Sequence, residues 1–347
     1  MIAYDEIGIG TLFGCGLGAR EGTSVRRRRL GILSGGAGGD RGLGLRVLGG
    51  FVVAYLGTWV AALVLGVGPN LLMRTVGVAE GTRVLVGSTL SRSGVLVVTV
   101  ALSVFMVRRV VGVEPGRITF PRERGWWQDL LVGVALGAGA MGLTFAVERA
   151  AGWLTVEGWR WQGQTLGHWL QGVWLALLAN LLAAVGEETL FRGYLLTGLR
   201  QAWGNAVGLV VMAVLFSVPH MTVTGAGETH WFLFVLLLAL PGVMLGWIYL
   251  RSRTLWLPVG IHFAWNLFQD DVLNLTGSRG GPTSFGAVAR QQGPAWFVGT
   301  SYGIEVGVAG VLALLLVIFG AWWWTARSRK RGRRIEGTGK AEEAPVG

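Results

Sequence analysis

The chain has 347 residues, 52% of them hydrophobic and only 14% charged, with a mean hydropathy of +0.54. That balance argues against a soluble protein and for an all-α polytopic transmembrane helix bundle. The net charge of +11 does not point to nucleic acid, because the arginines cluster at the two ends and in short loops between apolar runs, where they suit anionic lipid headgroups. A single cysteine, Cys15, excludes an internal disulfide framework and a thiolate metal cluster.

Residues 1–46 are Gly-rich and polar, with a basic block at Arg26–Arg29, and they lack an apolar run able to serve as a signal-peptide core. They read as a flexible cytoplasmic arm. Apolar runs long enough to cross a bilayer follow near 47–67, 93–112, 130–150, 169–200, 205–222, 232–250, 255–275 and 302–324, about eight spans. These group as N-terminal transmembrane helices (47–168), a core (169–275), a loop with the last span (276–324) and a basic, disordered tail (325–347). In the second span Arg92, Arg108 and Arg109 bracket a short clean core and must snorkel. The fourth would be roughly 48 Å long as a straight helix against a hydrocarbon layer of about 30 Å, so it tilts or breaks, with Gly186 as a flexible point.

Eight spans place both termini on one side. Arg26–Arg29, Arg108, Arg109, Arg117, Arg122, Arg124, Arg200, Arg251, Arg253 and the tail arginines fall on that same side, which the positive-inside rule makes cytoplasmic. Tryptophans including Trp153, Trp169, Trp231 and Trp322–Trp324 lie near span ends as an interfacial belt. With lysine only at Lys330 and Lys340, the composition reads as prokaryotic, so the expected location is a bacterial plasma membrane.

Polar groups inside the fourth, fifth and seventh spans carry the functional argument, since ionisable residues at lipid depth are costly unless they face protein or water. The fourth holds Gly186-Glu187-Glu188-Thr189-Leu190-Phe191-Arg192-Gly193. Glu188 and Arg192 can pair at i, i+4, while Glu187 is turned about 100° away and left for chemistry. If the chain reverses near Gly204-Asn205, His220 on the fifth span returns to the depth of Glu187. Pro219 kinks the helix beside it. On the seventh span His262 and Asn266 share a face, which Asp270 continues; Asp270 and Asp271 read as interfacial, and His168 and His230 as solvated loop residues.

A lone intramembrane histidine commonly makes a helix–helix hydrogen bond, and a Glu–Arg pair can merely lock a bundle. Six such groups together argue for use. A desolvated carboxylate beside an imidazole can hold and deprotonate water, and a second imidazole with a carboxamide can donate to an oxyanion. That is a hydrolysis site for an amide. Alternatively Glu187, His220 and His262 could ligate Zn²⁺ and activate water through the metal, and the residues leave both readings open.

Glu187-Glu188-x-x-x-Arg192, Phe216-x-x-x-His220 and His262-x-x-x-Asn266, in this order on apolar segments, closely resemble the CPBP intramembrane proteases, which include the type II CAAX prenyl proteases and bacteriocin-linked proteins. The resemblance implies that Glu187 and His220 activate water, that His262 and Asn266 stabilise the oxyanion, and that Glu188 and Arg192 support them. It implies an endopeptidase acting on a membrane-associated or lipidated peptide, either metal-dependent or glutamate-based. The rival classes are a non-enzymatic immunity or scaffold protein of the same family and a transporter. No inverted repeat supports the transporter. No His-Glu-x-x-His or Gly-x-Gly-Asp signature suggests another protease type.

Overall fold

An aspartate opens the first helix. The computed structural model describes residues 39–117, 119–122, 125–223, 231–275, 284–299 and 304–342, so that most of the predicted arm, including Cys15, and His230 lie outside the described residues. Asp40 Oδ1 accepts the Leu43 N–H at 2.9 Å, a side-chain cap that starts α1 at Arg41, before the predicted residue 47, and α1 runs to Thr75. α2 spans Glu80–Met106 and continues as a wide π turn over Val107–Val111 that Gly112 ends at φ +73°. Arg92 is therefore well inside a helix rather than at its end. α1 and α2 are joined by a Thr58–Thr99 hydroxyl hydrogen bond of 3.0 Å.

α3 (Trp126–Ala150) leads to β1 (Leu154–Trp159) and then α4 (Leu166–Glu188), which passes without a break into a π turn at Thr189–Leu196 and into α5 (Thr197–Val223). Gly186, expected as a flexible point, is regular helix. A Cβ there would meet Leu96 and Thr99 of α2 at 3.5 and 3.8 Å, ordinary contact, so α2 packs directly against this face of an unbroken α4. The reversal comes at Gly204, with φ +83° and ψ 171°, as the sequence predicts. Gly208 completes the tight return, since a Cβ there would sit 2.8 Å from the Arg200 nitrogen.

α6 (Trp231–Ser252) and α7 (Trp256–Asn266) follow, and α7 ends in a π turn over Leu267–Val272. α7 packs against α3 at backbone contact distance. A Cβ on Gly133 would lie 2.5 Å from the Leu257 carbonyl, one on Gly137 2.5 Å from that of Ile261, and one on Gly260 would strike the Leu130 carbonyl. Small residues at such a crossing let two helices approach where no hydrophobic force drives them together in lipid. Then come β2 (Ala287–Gln291), the short α8 (Ala295–Val298) and α9 (Val308–Glu342). α9 continues past Trp324 into the stretch predicted as disordered, consistent with the helix propensity of arginine and lysine and their favourable place near a helix C-terminus.

Among the described residues six helical runs are long and apolar enough to cross a membrane; the fourth of them, Leu166–His220, turns back at Gly204 and so makes two passes. α7 is shorter and lies buried among the others. The arrangement is an all-α polytopic bundle of about eight passes. Its outer faces are apolar, as lipid requires: Leu63, Leu72 and Val97 each expose about two thirds of their surface. The sequence reading did not anticipate the antiparallel β1–β2 ribbon, which pairs Leu154 with Gln291 and Trp159 with Ala287 beyond the C-terminal end of α3. At the opposite end Trp324 donates to Asp129 (2.7 Å) and Trp256 to the Pro121 carbonyl (3.0 Å). Asp271 is buried within the protein rather than facing outward. It is 6% exposed and accepts from Asn180 of α4 at 2.8 Å, because the π turn rotates it inward.

The α3–α7 crossing yields a stability prediction. Gly260→Val should lower the unfolding temperature in detergent, by an overpacking cost of about 1–3 kcal/mol. Gly139→Ala, at a site with nothing within 4 Å of the added Cβ, should not. Equal midpoints for the two variants would show that the crossing does not depend on its glycines.

Candidate active site

The site begins with the two adjacent glutamates at the end of α4. The helical period sends them in different directions. Glu188 is fully buried and its Oε1 accepts from Arg192 Nη1 at 2.7 Å, one turn on. Arg192 is itself wholly buried, donates to the Gly242 carbonyl of α6 at 3.4 Å, and lies with its guanidinium 4.4 Å from the centre of the Phe216 ring. An ion pair at this depth is held by the number and quality of these contacts, since desolvation consumes much of the Coulomb gain.

His262 reaches the same carboxylate from α7, its Nδ1 lying 2.8 Å from Glu188 Oε1. A carboxylate paired with arginine is acceptor only, so the histidine Nδ1 carries the hydrogen and donates it. The other ring nitrogen, Nε2, then lies 3.8 Å from Glu187 Oε2, beyond direct hydrogen-bond length. Sequence spacing found the Glu188–Arg192 pair but missed that Glu188 bridges Arg192 to His262. That contact spans 74 residues of sequence and leaves no periodic trace.

Glu187 has the opposite environment: its side chain is 36% exposed and lines a cavity of about 600 Å³ between α1, α2, α4 and α5. His220 and Pro219 line the same cavity. The His220 ring is positioned by its own helix, with Nδ1 2.9 Å from the Phe216 carbonyl one turn earlier. A carbonyl only accepts, so Nδ1–H donates and Nε2 is the acceptor nitrogen of the neutral ring. Pro219, lacking an N–H, leaves the Leu215 carbonyl without its helical donor and loosens the ladder there.

Of the six expected site residues, the structure thus joins Glu187, Glu188, Arg192 and His262 in one contact network and brings His220 to Glu187 through the shared cavity. Asn266 lies one turn beyond His262 on α7, half-buried, and is not among the residues lining that cavity. Tyr55, Thr58, Trp59 and Thr99 of α1 and α2 form its other wall. Nothing in their spacing marks them, because on apolar helices they read as ordinary packing residues. Among the described residues no three His, Cys, Asp or Glu side chains converge as a ligand set, so Glu187, His220 and His262 do not fit a metal as they stand. His168, read as a loop residue, is exposed in the first turn of α4, where Thr165 caps its N–H.

This network predicts an asymmetric response to mutation. Arg192→Leu should destabilise the protein by about 3–5 kcal/mol, because Glu188 would be left charged and buried with its main partner gone. The double change Glu188→Leu with Arg192→Leu should recover a good part of that loss. Chemical or thermal unfolding of the three proteins in one detergent measures it, and a double variant less stable than Arg192→Leu would contradict the pairing.

Residues 169–268 match the family described as type II CAAX prenyl endopeptidase, Rce1-like, and the match runs from α4 to the π turn after α7. No curated protein and no solved structure gives a match. The matched segment holds all six residues of the site, Glu187, Glu188, Arg192, His220, His262 and Asn266. The chain is accordingly an integral membrane protein whose core, residues 169–268, is similar to the CAAX-type intramembrane endopeptidases.

Proposed function

We propose that the protein is an intramembrane endopeptidase in which Glu187 and His220 activate the water that hydrolyses a peptide bond. The observation that carries the reading is the unequal placement of the two glutamates. Glu188 is spent on Arg192 and His262, whereas Glu187 is half-exposed in a cavity that it shares with His220. A carboxylate and the acceptor nitrogen of a neutral imidazole on one cavity can take the proton of a water between them as it attacks.

His262 and Asn266 we assign to the oxyanion. With Nδ1–H committed to Glu188, Nε2 donates in the imidazolium form, the form this assignment requires. A cation there would stabilise the charge that develops on the carbonyl oxygen. The proton taken up by Glu187 or His220 then passes to the leaving amine. Asn266, one turn along the same helix, would move into reach once a substrate orders the end of α7.

The substrate we propose is a membrane-associated or lipidated peptide, a wider class than the prenylated C-a-a-X sequence in the family's description. Both termini are assigned to the cytoplasmic face on the distribution of arginines, and a bacterial plasma membrane on composition. Anionic headgroups would meet those arginines. A zinc-dependent variant would need the three candidate ligands to converge on substrate binding. Elemental analysis of the purified protein with chelator treatment tests it directly.

Comparing membrane proteomes with and without the gene identifies the cleaved chain. On that substrate, Glu187→Gln and His220→Ala should each lower turnover by the purified protein at least about 100-fold. Their unfolding midpoints in detergent should stay near the wild-type value. Wild-type turnover by either variant sinks the assignment. Loss of folding without loss of specific activity would favour a scaffold role for these groups.

A further inference from the structure

His262 is not alone in tying the end of α7 to α4. Nine residues further along the chain, Asp271 accepts a hydrogen bond from the Asn180 amide at 2.8 Å. The two contacts run antiparallel: Glu188 meets His262, and eight residues earlier on α4 Asn180 meets Asp271. They stand about 12 Å apart along α4. Asn180, Ala184 and Glu188 follow one another at i, i+4 and so share a face of that helix. Ala184, midway, is wholly buried and small enough to let the facing segment come close. Midway on that segment, four residues after His262 and five before Asp271, is Asn266.

The π turn decides which aspartate makes the outer bond. In an α-helix the residue four after Asn266 would share its face, and that is Asp270. In the wider turn over Leu267–Val272, where the Leu273 N–H donates to the carbonyl five residues back at Phe268, the fifth residue takes that place, and that is Asp271. The backbone of Asp271 is held as well. Its carbonyl accepts from the Phe285 and Gly286 N–H groups at 3.1 and 2.9 Å, and the Phe285 carbonyl accepts from the Trp169 indole of α4 at 2.9 Å. Asp271 is therefore fixed to α4 twice, by its side chain through Asn180 and by its backbone through Phe285. Its burial keeps water from competing for the side-chain bond.

Resting on the protease reading above, we propose that Asn180 and Asp271 are positioning residues for Asn266: their hydrogen bond is the outer of two ties that hold the segment carrying the oxyanion-assigned carboxamide against α4. Glu188 and His262 fix one end of this segment, Asn180 and Asp271 the other. A side chain on a segment held at both ends reaches a developing oxyanion with little reorganisation. One held at a single end must be ordered again in every turnover. Asn180 and Asp271 thus act on the reaction through Asn266.

The test removes the tie while keeping the fold. Replacing both partners by apolar residues, Asn180→Leu with Asp271→Leu, avoids a lone buried carboxylate. Asp271→Asn keeps an acceptor oxygen and with it the bond. On the chain found by the membrane-proteome comparison, the leucine pair should lower kcat about 10- to 100-fold with KM within about twofold of wild type. Asp271→Asn should keep most of the wild-type kcat, and Asn180→Ala alone should show the same split at smaller amplitude. Asn266→Ala should lower kcat about 100-fold, and adding the leucine pair to it should lower kcat no further. A merely structural tie would leave the two effects multiplying. In the full-length protein without substrate, the backbone amides of residues 267–273 should exchange hydrogen at least about tenfold faster in the leucine pair than in the wild type or Asp271→Asn. Wild-type exchange or wild-type kcat in the leucine pair overturns the proposal, and so do multiplying effects or a loss confined to KM. Glu187→Gln on the same substrate keeps the two readings apart. Full turnover by that variant counts against the protease reading alone, whereas its inactivity beside wild-type turnover in the leucine pair counts against the positioning role alone.

Discussion

The bundle is built around one carboxylate. Glu188 has no exposed surface and accepts from Arg192 of its own helix and from His262 of α7. A charge in that position is tolerable only while both partners stay within hydrogen-bond distance, and this sets demands on parts of the chain far from it. α7 must come close, which the glycine contacts at 133, 137 and 260 allow against α3. Arg192 must be flanked by α5 and α6, which the Phe216 ring and the Gly242 carbonyl provide. The π turn that follows Glu188 carries Arg192 and Tyr194 inward together, and Tyr194 ties the turn to the Val47 carbonyl of α1 at 2.8 Å. Packing and electrostatics in this core are the same set of contacts.

From that constraint the neighbouring glutamate acquires its character. Successive helical residues point about 100° apart, so a side chain next to a buried, doubly bonded one faces elsewhere. Here that direction is the cavity. Glu187 stands apart from the buried network, its Oε2 lying 3.8 Å from His262 Nε2, beyond direct hydrogen-bond length. The paired glutamates are thus a buried, bonded group and a cavity-facing group kept side by side in the chain. Exchanging their roles would require turning the helix, which Arg192 prevents.

How much of this was legible beforehand depends on how local each contact is. The i, i+4 pairing of Glu188 with Arg192 follows from helix geometry, and the return of His220 to Glu187 follows from counting residues about Gly204. Gly186 misled for an instructive reason. In water a helical glycine is a weak point, but between helices in lipid it is a place where another helix can come close, here α2. The His262–Glu188 bond, the Asn180–Asp271 bond and the β1–β2 ribbon join residues 74, 91 and 128–137 positions apart. Periodicity carries no record of such pairings. Asp271 looked interfacial because an apolar run ends near it, yet the π turn, invisible as a sequence pattern, rotates it toward Asn180.

The family match covers residues 169–268, whereas half of the cavity wall comes from α1 and α2, which lie outside it. On the protease reading proposed above, the hydrolytic groups and half of the wall that would meet a peptide therefore lie on different stretches of the chain. The carboxylate, imidazole and guanidinium groups must keep their geometry within tenths of an ångström, and they sit on helices locked to one another by buried bonds. α1 is tied to the π turn by the Tyr194–Val47 hydrogen bond and to α2 by the Thr58–Thr99 hydroxyl pair, while α2 meets α4 through side-chain packing at Gly186. Side chains on that wall can change without disturbing Glu188. On that reading, a bundle divided this way keeps the hydrolytic groups fixed while the side chains that α1 and α2 turn to the cavity are free to vary.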